Sequence, residues 1–313
     1  MARARGARTQ LAAVFESTYG TSPVSGFRRM PFASETLSEE QPLLDNELLG
    51  YGRDPLAPIK DAITTDGDVV VPVDAEAFGF WLKGAFGQPT TTGAGPYTHV
   101  FQSGSWTLPS MSIEVGMPDI PDFTMYQGCR VNTLSWTMQR SGLLTATANI
   151  MSQGATAPAG STAAGTPTDY ALKRFGHFNG AILRNGSTLA NIISAEITYS
   201  NNLDPVETIR SDGKVDGHDA SMASLTGSIE ARFADLTLFN QAIAGTSAEL
   251  SFGYTLPGGE EMTFVAHAVY LPKPRKEISG PGGIQVRFDW QAALATSPAR
   301  MCTVTLKNAV ATY

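Results

Sequence analysis

The chain has 313 residues, of which 42% are hydrophobic and only 16% charged, with 22 Lys and Arg against 29 Asp and Glu and a formal net charge of −7. That acidity excludes a protein that grips nucleic acid through a broad basic surface, and no run approaches the ~18 apolar residues of a membrane-spanning helix. Charge is sparse against a typical share of about 25%; Gly, Ser, Thr and Ala take its place, which suits either an ordinary Thr/Ser-rich β-protein or one whose faces are covered by copies of itself.

Residues 1–19 are basic and turn-rich. Arg3, Arg5 and Arg8 precede the apolar run LAAVF, too short for the apolar region of a secretory signal, and Glu16, Tyr19 and a Gly-Thr-Ser-Pro cluster follow. A second basic pair, Arg28 and Arg29, comes after it. Without a periodic apolar face this stretch reads as an N-terminal arm that packs on something other than its own domain. Beyond it, DVVVPV reads as a strand, and a helix is expected over 75–86, with Asp74 as N-cap, Phe78, Trp81, Leu82 and Ala85 on one face and Gly87 as the stop.

Period-two alternation then dominates. MSIEV sets Met111, Ile113 and Val115 against Ser112 and Glu114. LSWTM sets Leu134, Trp136 and Met138 against Thr133, Ser135 and Thr137, and LTATANI sets Leu144, Ala146, Ala148 and Ile150 against Thr145 and Thr147. LSWTM and LTATANI, joined by the turn QRSG, form a hairpin with one apolar and one neutral polar face. SQGATAPAGSTAAGTPTD (152–169) has the composition of a flexible linker, placed at 156–175. IISAEITY and SIEARF resume the strands, a helix is expected over 236–244 with Asp235 as cap, a Leu236, Phe239 and Ile243 stripe and Gly245 as stop, and ELSFGYTL, EMTFVAHAVY, IQVRFDW and CTVTLK close the series. The expected fold class is mainly β: antiparallel sandwich or barrel units, each flanked by one α-helix.

Aligned on their terminal glycines, the two helices match Trp81 with Phe239 and Ala85 with Ile243. Each follows a strand, and each is preceded by an Asp-Pro segment, GRDPLAPIKDAITTDGD and NLDPVETIRSDGKVDGHD. The chain therefore reads as a diverged duplication, with one unit at 20–155 and a second at 176–313.

Chemistry has little support. His99, His177, His218 and His267 pair with no other His or Cys at ligand spacing, and Cys129 and Cys302 lie far apart as buried free thiols. SGSWT lacks the second glycine of a hydrolase elbow, and GPGG opens no helix that could cradle phosphate. Asp212, Asp216 and Asp219 could surround an ion, but Lys214 stands where a calcium loop needs a ligand. Asp119 and Asp122, between prolines, read as an exposed loop. No catalytic residue, metal or cofactor is expected.

Glu16, Tyr19, Gly20, Thr21 and Pro23, followed by Met30-Pro31-Phe32, Gly67-Asp68-Val69 and Phe78, Gly79, Leu82 and Lys83, resemble the tail tube proteins of tailed bacteriophages. The likeness is clearest over the first third of the chain. It implies a virion protein made in the host cytoplasm, with no enzymatic activity and no membrane. Its partners would be itself and the tail terminator, tape measure and distal tail proteins, in rings stacked into a tube through which DNA passes without specific binding. Six positions per ring are implied, so two units per chain give rings of three copies with pseudo-sixfold symmetry, and one unit per chain gives six. Arg3, Arg5, Arg8, Glu16, Tyr19, Arg28 and Arg29 would then be arm contacts to a neighbouring subunit, Lys273, Arg275 and Lys276 inter-ring contacts, and Thr133, Ser135, Thr137, Thr145 and Thr147 lumen residues. The alternatives are an extracellular β-sandwich that binds carbohydrate or a host surface, and another phage tail or head-completion protein.

Overall fold

The structure, a computed structural model, describes residues 3–275 and 282–313. It is mainly β, with 47% strand against 8% helix. Among the described residues the longer strands of the first half are β1 (Gln10–Phe15), β2 (Leu43–Asn46), β3 (Leu56–Lys60), β4 (Thr64–Pro72), β5 (Tyr97–Gln102), β6 (Met111–Met117), β7 (Asp122–Gln139) and β8 (Thr145–Met151). Those of the second half are β9 (Gly180–Arg184), β10 (Ile192–Ser200), β11 (Ser224–Arg232), β12 (Ala248–Thr255), β13 (Glu261–Tyr270), β14 (Gln285–Ala292) and β15 (Cys302–Asn308). Helix α1 (Phe78–Phe86) follows β4, and α2 (Thr237–Ala244) follows β11.

Two rows of paired residues show how alternation becomes a core. Val70, Thr147, Ser135, Thr198, Thr226 and Gln291 lie side by side across β4, β8, β7, β10, β11 and β14, and none of them is buried. Ile182, Phe252, Phe264, Val304 and Phe101 cross β9, β12, β13, β15 and β5, and all are buried. The two parts join at a corner where Val269 and Tyr270 of β13 pair with Ala292 and Gln291 of β14. Their inward faces meet: Trp136 stands edge-on to Phe264 at 5.2 Å, and Trp290 stacks on Phe252 at 6.0 Å. One apolar cluster runs through both halves.

The pairings recur in the same order. Ser34–Glu35 and Ser38–Glu40 pair with β4, β4 with β8, and β8 with β7. In the second half β10 pairs with β11, β11 with β14, and β14 with β13. β7 and β10 join the two sets edge to edge. The first part of the long β7 belongs elsewhere: it pairs with β6, which pairs with β1.

Several local expectations need correction. The helix expected over 75–86 begins at Phe78, because the Asp74 carboxylate accepts from the Glu76 and Ala77 amides at 2.8 and 2.7 Å and closes a turn ahead of it. Its stop at Gly87 stands, but α1 is buried on nearly every side, with Phe80 and Phe86 inside as well as the expected face. The close approach is allowed by Gly84, where a Cβ would lie 2.8 Å from Met111 and Val131. In α2 the expected stripe holds only at Phe239, which packs against the core: Leu236 and Ile243 are exposed, whereas Leu238 and Gln241 are buried. Gln241 is drawn inward because its amide accepts from Arg184 Nε and donates to the Val269 carbonyl.

Residues 156–175 are not a free linker either. The buried Glu114 carboxylate accepts from Thr162 Oγ1 and from the Ala163 and Ala164 amides, and Thr168–Asp169 runs parallel to Arg28–Arg29. Their small side chains let the backbone lie close against β6, which is why Glu114, expected on a wet face, is buried.

Candidate assembly surfaces

The outward face of the large sheet holds Thr133, Ser135, Thr137, Thr145 and Thr147, brought together by the β7–β8 pairing and opposite the buried Leu134, Trp136, Ala146 and Ala148. Register extends that face beyond the expected residues, to Thr198 and Glu196 on β10, Thr226 and Glu230 on β11, and Asp289 and Gln291 on β14. Asp66 and Asp68 continue it on β4, where Asn149 Nδ2 donates to Asp68 at 2.8 Å. Arg287 is held between Asp289 at 2.8 Å and Glu196 at 3.4 Å. A face of short hydroxyls with excess carboxylate, its Arg287 already paired, offers phosphate little purchase.

The N-terminal stretch is mostly part of the subunit. Leu11 and Ala13 are fully buried on β1, so the expected coreless arm has a core from residue 10 onward. The residues of the recognised motif act as internal pins. Glu16 accepts from Ser112 Oγ at 2.7 Å, the Gly128 amide at 2.9 Å and the Gly20 amide at 2.9 Å. The Arg130 guanidinium lies 5.0 Å from the centre of the Tyr19 ring, and burial pushes the Tyr19 phenol up to about 12. Arg130 also donates to the His218 carbonyl, while burial and then the Arg130 charge bring the His218 imidazole down to about 4.

The basic residues divide. Arg8 pairs with Asp119 at 2.6 Å, Arg29 with Asp169 at 3.5 Å, and Arg28 lies 5.2 Å from the Tyr170 ring centre. Arg3 and Arg5 are exposed, with no acidic partner in range among the described residues. Lys273 and Arg275 are exposed as well, and Lys276 lies outside the described residues. The Asp-rich loop is closed by Arg210, which binds Asp212 through two nitrogens and Asp216 at 2.8 Å, so two of its three carboxylates already have a cation.

The sequence reasoning missed the β2–β3 hairpin. Its strands pair only with each other, and Leu43, Leu44, Leu48, Leu49, Tyr51 and Ile59 are all exposed, Leu49 at 94%. The signal available was the doubled Leu43-Leu44 and Leu48-Leu49 without alternation, in a segment too short to bury both. At the opposite end of the large sheet, Phe178, Ile182, Leu189 and Ile192 line a groove of about 780 Å³ whose charged lining residues are Arg140 and Arg232.

A family model described as phage tail tube protein matches residues 6–292 of the 313. No curated protein matches the chain.

Proposed function

This chain belongs to the phage tail tube protein family and is thereby a structural protein of the virion tail, and we propose that its copies form stacked rings whose large sheets join edge to edge around a channel for DNA. The observation that carries this reading is the six-strand row from Val70 to Gln291, with hydroxyl and carboxylate neighbours and a paired Arg287. Such a wall lets a polyanion slide without adding counterion-releasing contacts that would hold it. Joining the sheets between subunits also removes open strand edges.

The recurrence of strand pairings supports two units per chain and three copies per ring. A closed barrel of n strands about 4.8 Å apart and tilted by about 40° has a backbone diameter near 4.8n/(π cos 40°) Å. Three copies of the two joined four-strand sets, eight strands each, give roughly 48 Å, and six copies roughly 96 Å. The narrower barrel, once lined by side chains, leaves a channel that admits a single duplex.

Electron microscopy of the concentrated, full-length protein tests the reading. Hollow polymers are expected; a protein that stays monomeric at every concentration contradicts it. Replacing Thr133, Ser135, Thr145 and Thr147 by Lys should slow DNA ejection from particles at low salt, and unchanged ejection would count against the placement of this face.

A further inference from the structure

Where β10 finishes and β11 begins, the space between the large sheet and β15 opens as a cleft of about 740 Å³. Tyr199 and Leu225, 2% and 1% exposed, form its buried lining, and the Phe86 ring, 4.3 Å from that of Tyr199, holds the tyrosine from the core side. Three loops bring large apolar side chains to the cleft and leave them in water. Trp106, between β5 and β6, is 76% exposed, Met222, ahead of β11, is 81% exposed, and Leu294, between β14 and β15, is 75% exposed. The volume lies within the roughly 300–1,000 Å³ of small-molecule sites, which are mostly apolar with a few placed polar groups.

Most polar groups in the lining are already engaged. Ser103 Oγ donates to the Cys302 carbonyl at 3.2 Å and accepts from the Met301 and Cys302 amides, and Ser105 Oγ donates to the Thr107 carbonyl at 2.9 Å. Asn201 Nδ2 donates to the Ala85 and Val131 carbonyls. No carboxylate lines the cleft among the described residues, and its charged lining residue is Arg300. Arg300 is half-buried, and its guanidinium has no acidic partner in ion-pair range among the described residues. The Ala295 amide donates to the Arg300 carbonyl at 3.2 Å, closing the loop that brings both Leu294 and Arg300 to the cleft.

An apolar recess with one unpaired guanidinium and no acid selects an amphiphile with an anionic head. The planar fork of arginine takes a carboxylate through two parallel hydrogen bonds. Met222 and Met301, unbranched and flexible, can follow a chain that has no fixed shape. We propose that the cleft is a binding site for a long-chain fatty acid, whose carboxylate sits on Arg300 and whose chain runs between Trp106, Met222 and Leu294 toward Tyr199. Each CH₂ that leaves water there tightens binding by roughly fourfold. Binding of this kind does not depend on the tube reading.

Dodecanoate, kept below its micelle concentration, is titrated into the full-length protein and followed by calorimetry and tryptophan emission. Saturable binding of a single molecule per chain is expected, with decanoate weaker by roughly tenfold or more. Arg300→Gln should keep the wild-type melt and weaken dodecanoate by roughly tenfold or more, while dodecanol, which lacks the charge, changes by less than about threefold. Leu294→Asp, at an exposed position, should weaken both ligands, because its carboxylate takes Arg300 and wets the chain path. Uptake that never saturates, or Arg300→Gln binding dodecanoate as wild type does, would overturn the proposal. So would binding that disappears when the protein polymerises, since another copy would then cover the cleft. Should a variant misfold, a diazirine-bearing dodecanoate photolysed on the wild type decides: label on Trp106, Met222 or Leu294 supports the site, and label confined to other segments contradicts it.

Discussion

The two connections that carry the Asp-Pro segments occupy matching places, one leading into β4 and one into β11, yet they are treated in opposite ways. The second, where Asp204–Val206 pairs with Gly217–Asp219, is fastened to its own subunit. His218 is 3% exposed, Gln153 donates to the Asp216 carbonyl at 3.0 Å, and the Leu203 amide donates to Asn132 at 3.0 Å. The first, β2–β3, leaves its leucines in water and touches the second only near its base, where the Ile63 amide donates to the Gly213 carbonyl at 2.8 Å. The helices show the reverse: α1 lies within the core, whereas α2 buries only Leu238 and Gln241. The first half thus combines a core helix with a free hairpin, and the second a surface helix with a fastened one. The lesson is that elements in matching places along one chain can differ in whether they pack into the core or leave apolar side chains exposed.

That contrast can be broken by mutation. Trp81→Ala should cost about 3–5 kcal/mol, because it empties a fully enclosed site under α1. Chemical denaturation of the two variants side by side checks this against Ile243→Ala, the matched position to Ala85 in α2, which should stay within about 0.5 kcal/mol. Comparable losses for the two would erase the distinction between the helices.

Asp74 sharpens the contrast at the entry to α1. Burial raises its carboxyl to about 6, above its unfolded value, so the folded state holds the proton more tightly. Stability from this group is therefore present at low pH and lost as pH climbs from about 4 through 6. Asp74→Asn keeps the acceptor oxygen for the Glu76 and Ala77 amides and removes the titration. Relative to wild type, its unfolding free energy should rise by roughly 2–3 kcal/mol between pH 4 and pH 7, and a pH-independent difference would show that the carboxyl is not desolvated.

The fastened hairpin should respond to pH in the other sense. His218 titrates near 4 in the fold, below its unfolded value, so its contribution is present above about 6.5 and is lost as pH falls toward 4. Intrinsic-rate-corrected hydrogen exchange at pH 5 should show 204–219 loosened by about 1–2 kcal/mol relative to pH 7. Exchange over 43–60 in the monomer should be fast at both values. Equal protection of the two hairpins would end the comparison. The smallest effect concerns the outward face, where Thr137→Val should shift folding stability by no more than about 0.5 kcal/mol.

Local pattern was legible in the sequence wherever burial follows from neighbours on the same strand. Leu134, Trp136 and Met138 and their partners Ala146 and Ala148 lie inside as their alternation demands, and Gly87 and Gly245 end the helices. What escaped was set by partners distant in sequence. Ser112 and Glu114 look like wet-face residues until Glu16 and the 162–164 backbone arrive to bond them. The same is true of β1, whose six residues are too few to show a period but pair along their whole length with β6. Of the candidate site, the neutral face was readable from the hairpin alone. Its acidic extension onto β10 and β14 depends on register across four strands, and the groove at Phe178 on segments that no motif connects.

A reconstruction of the assembled tube by electron cryomicroscopy tests the central claim most directly. Three copies per ring, with Thr147, Ser135, Thr198 and Thr226 facing the bore, is the predicted result; a ring in which that row faces outward or lies buried between subunits would contradict the account.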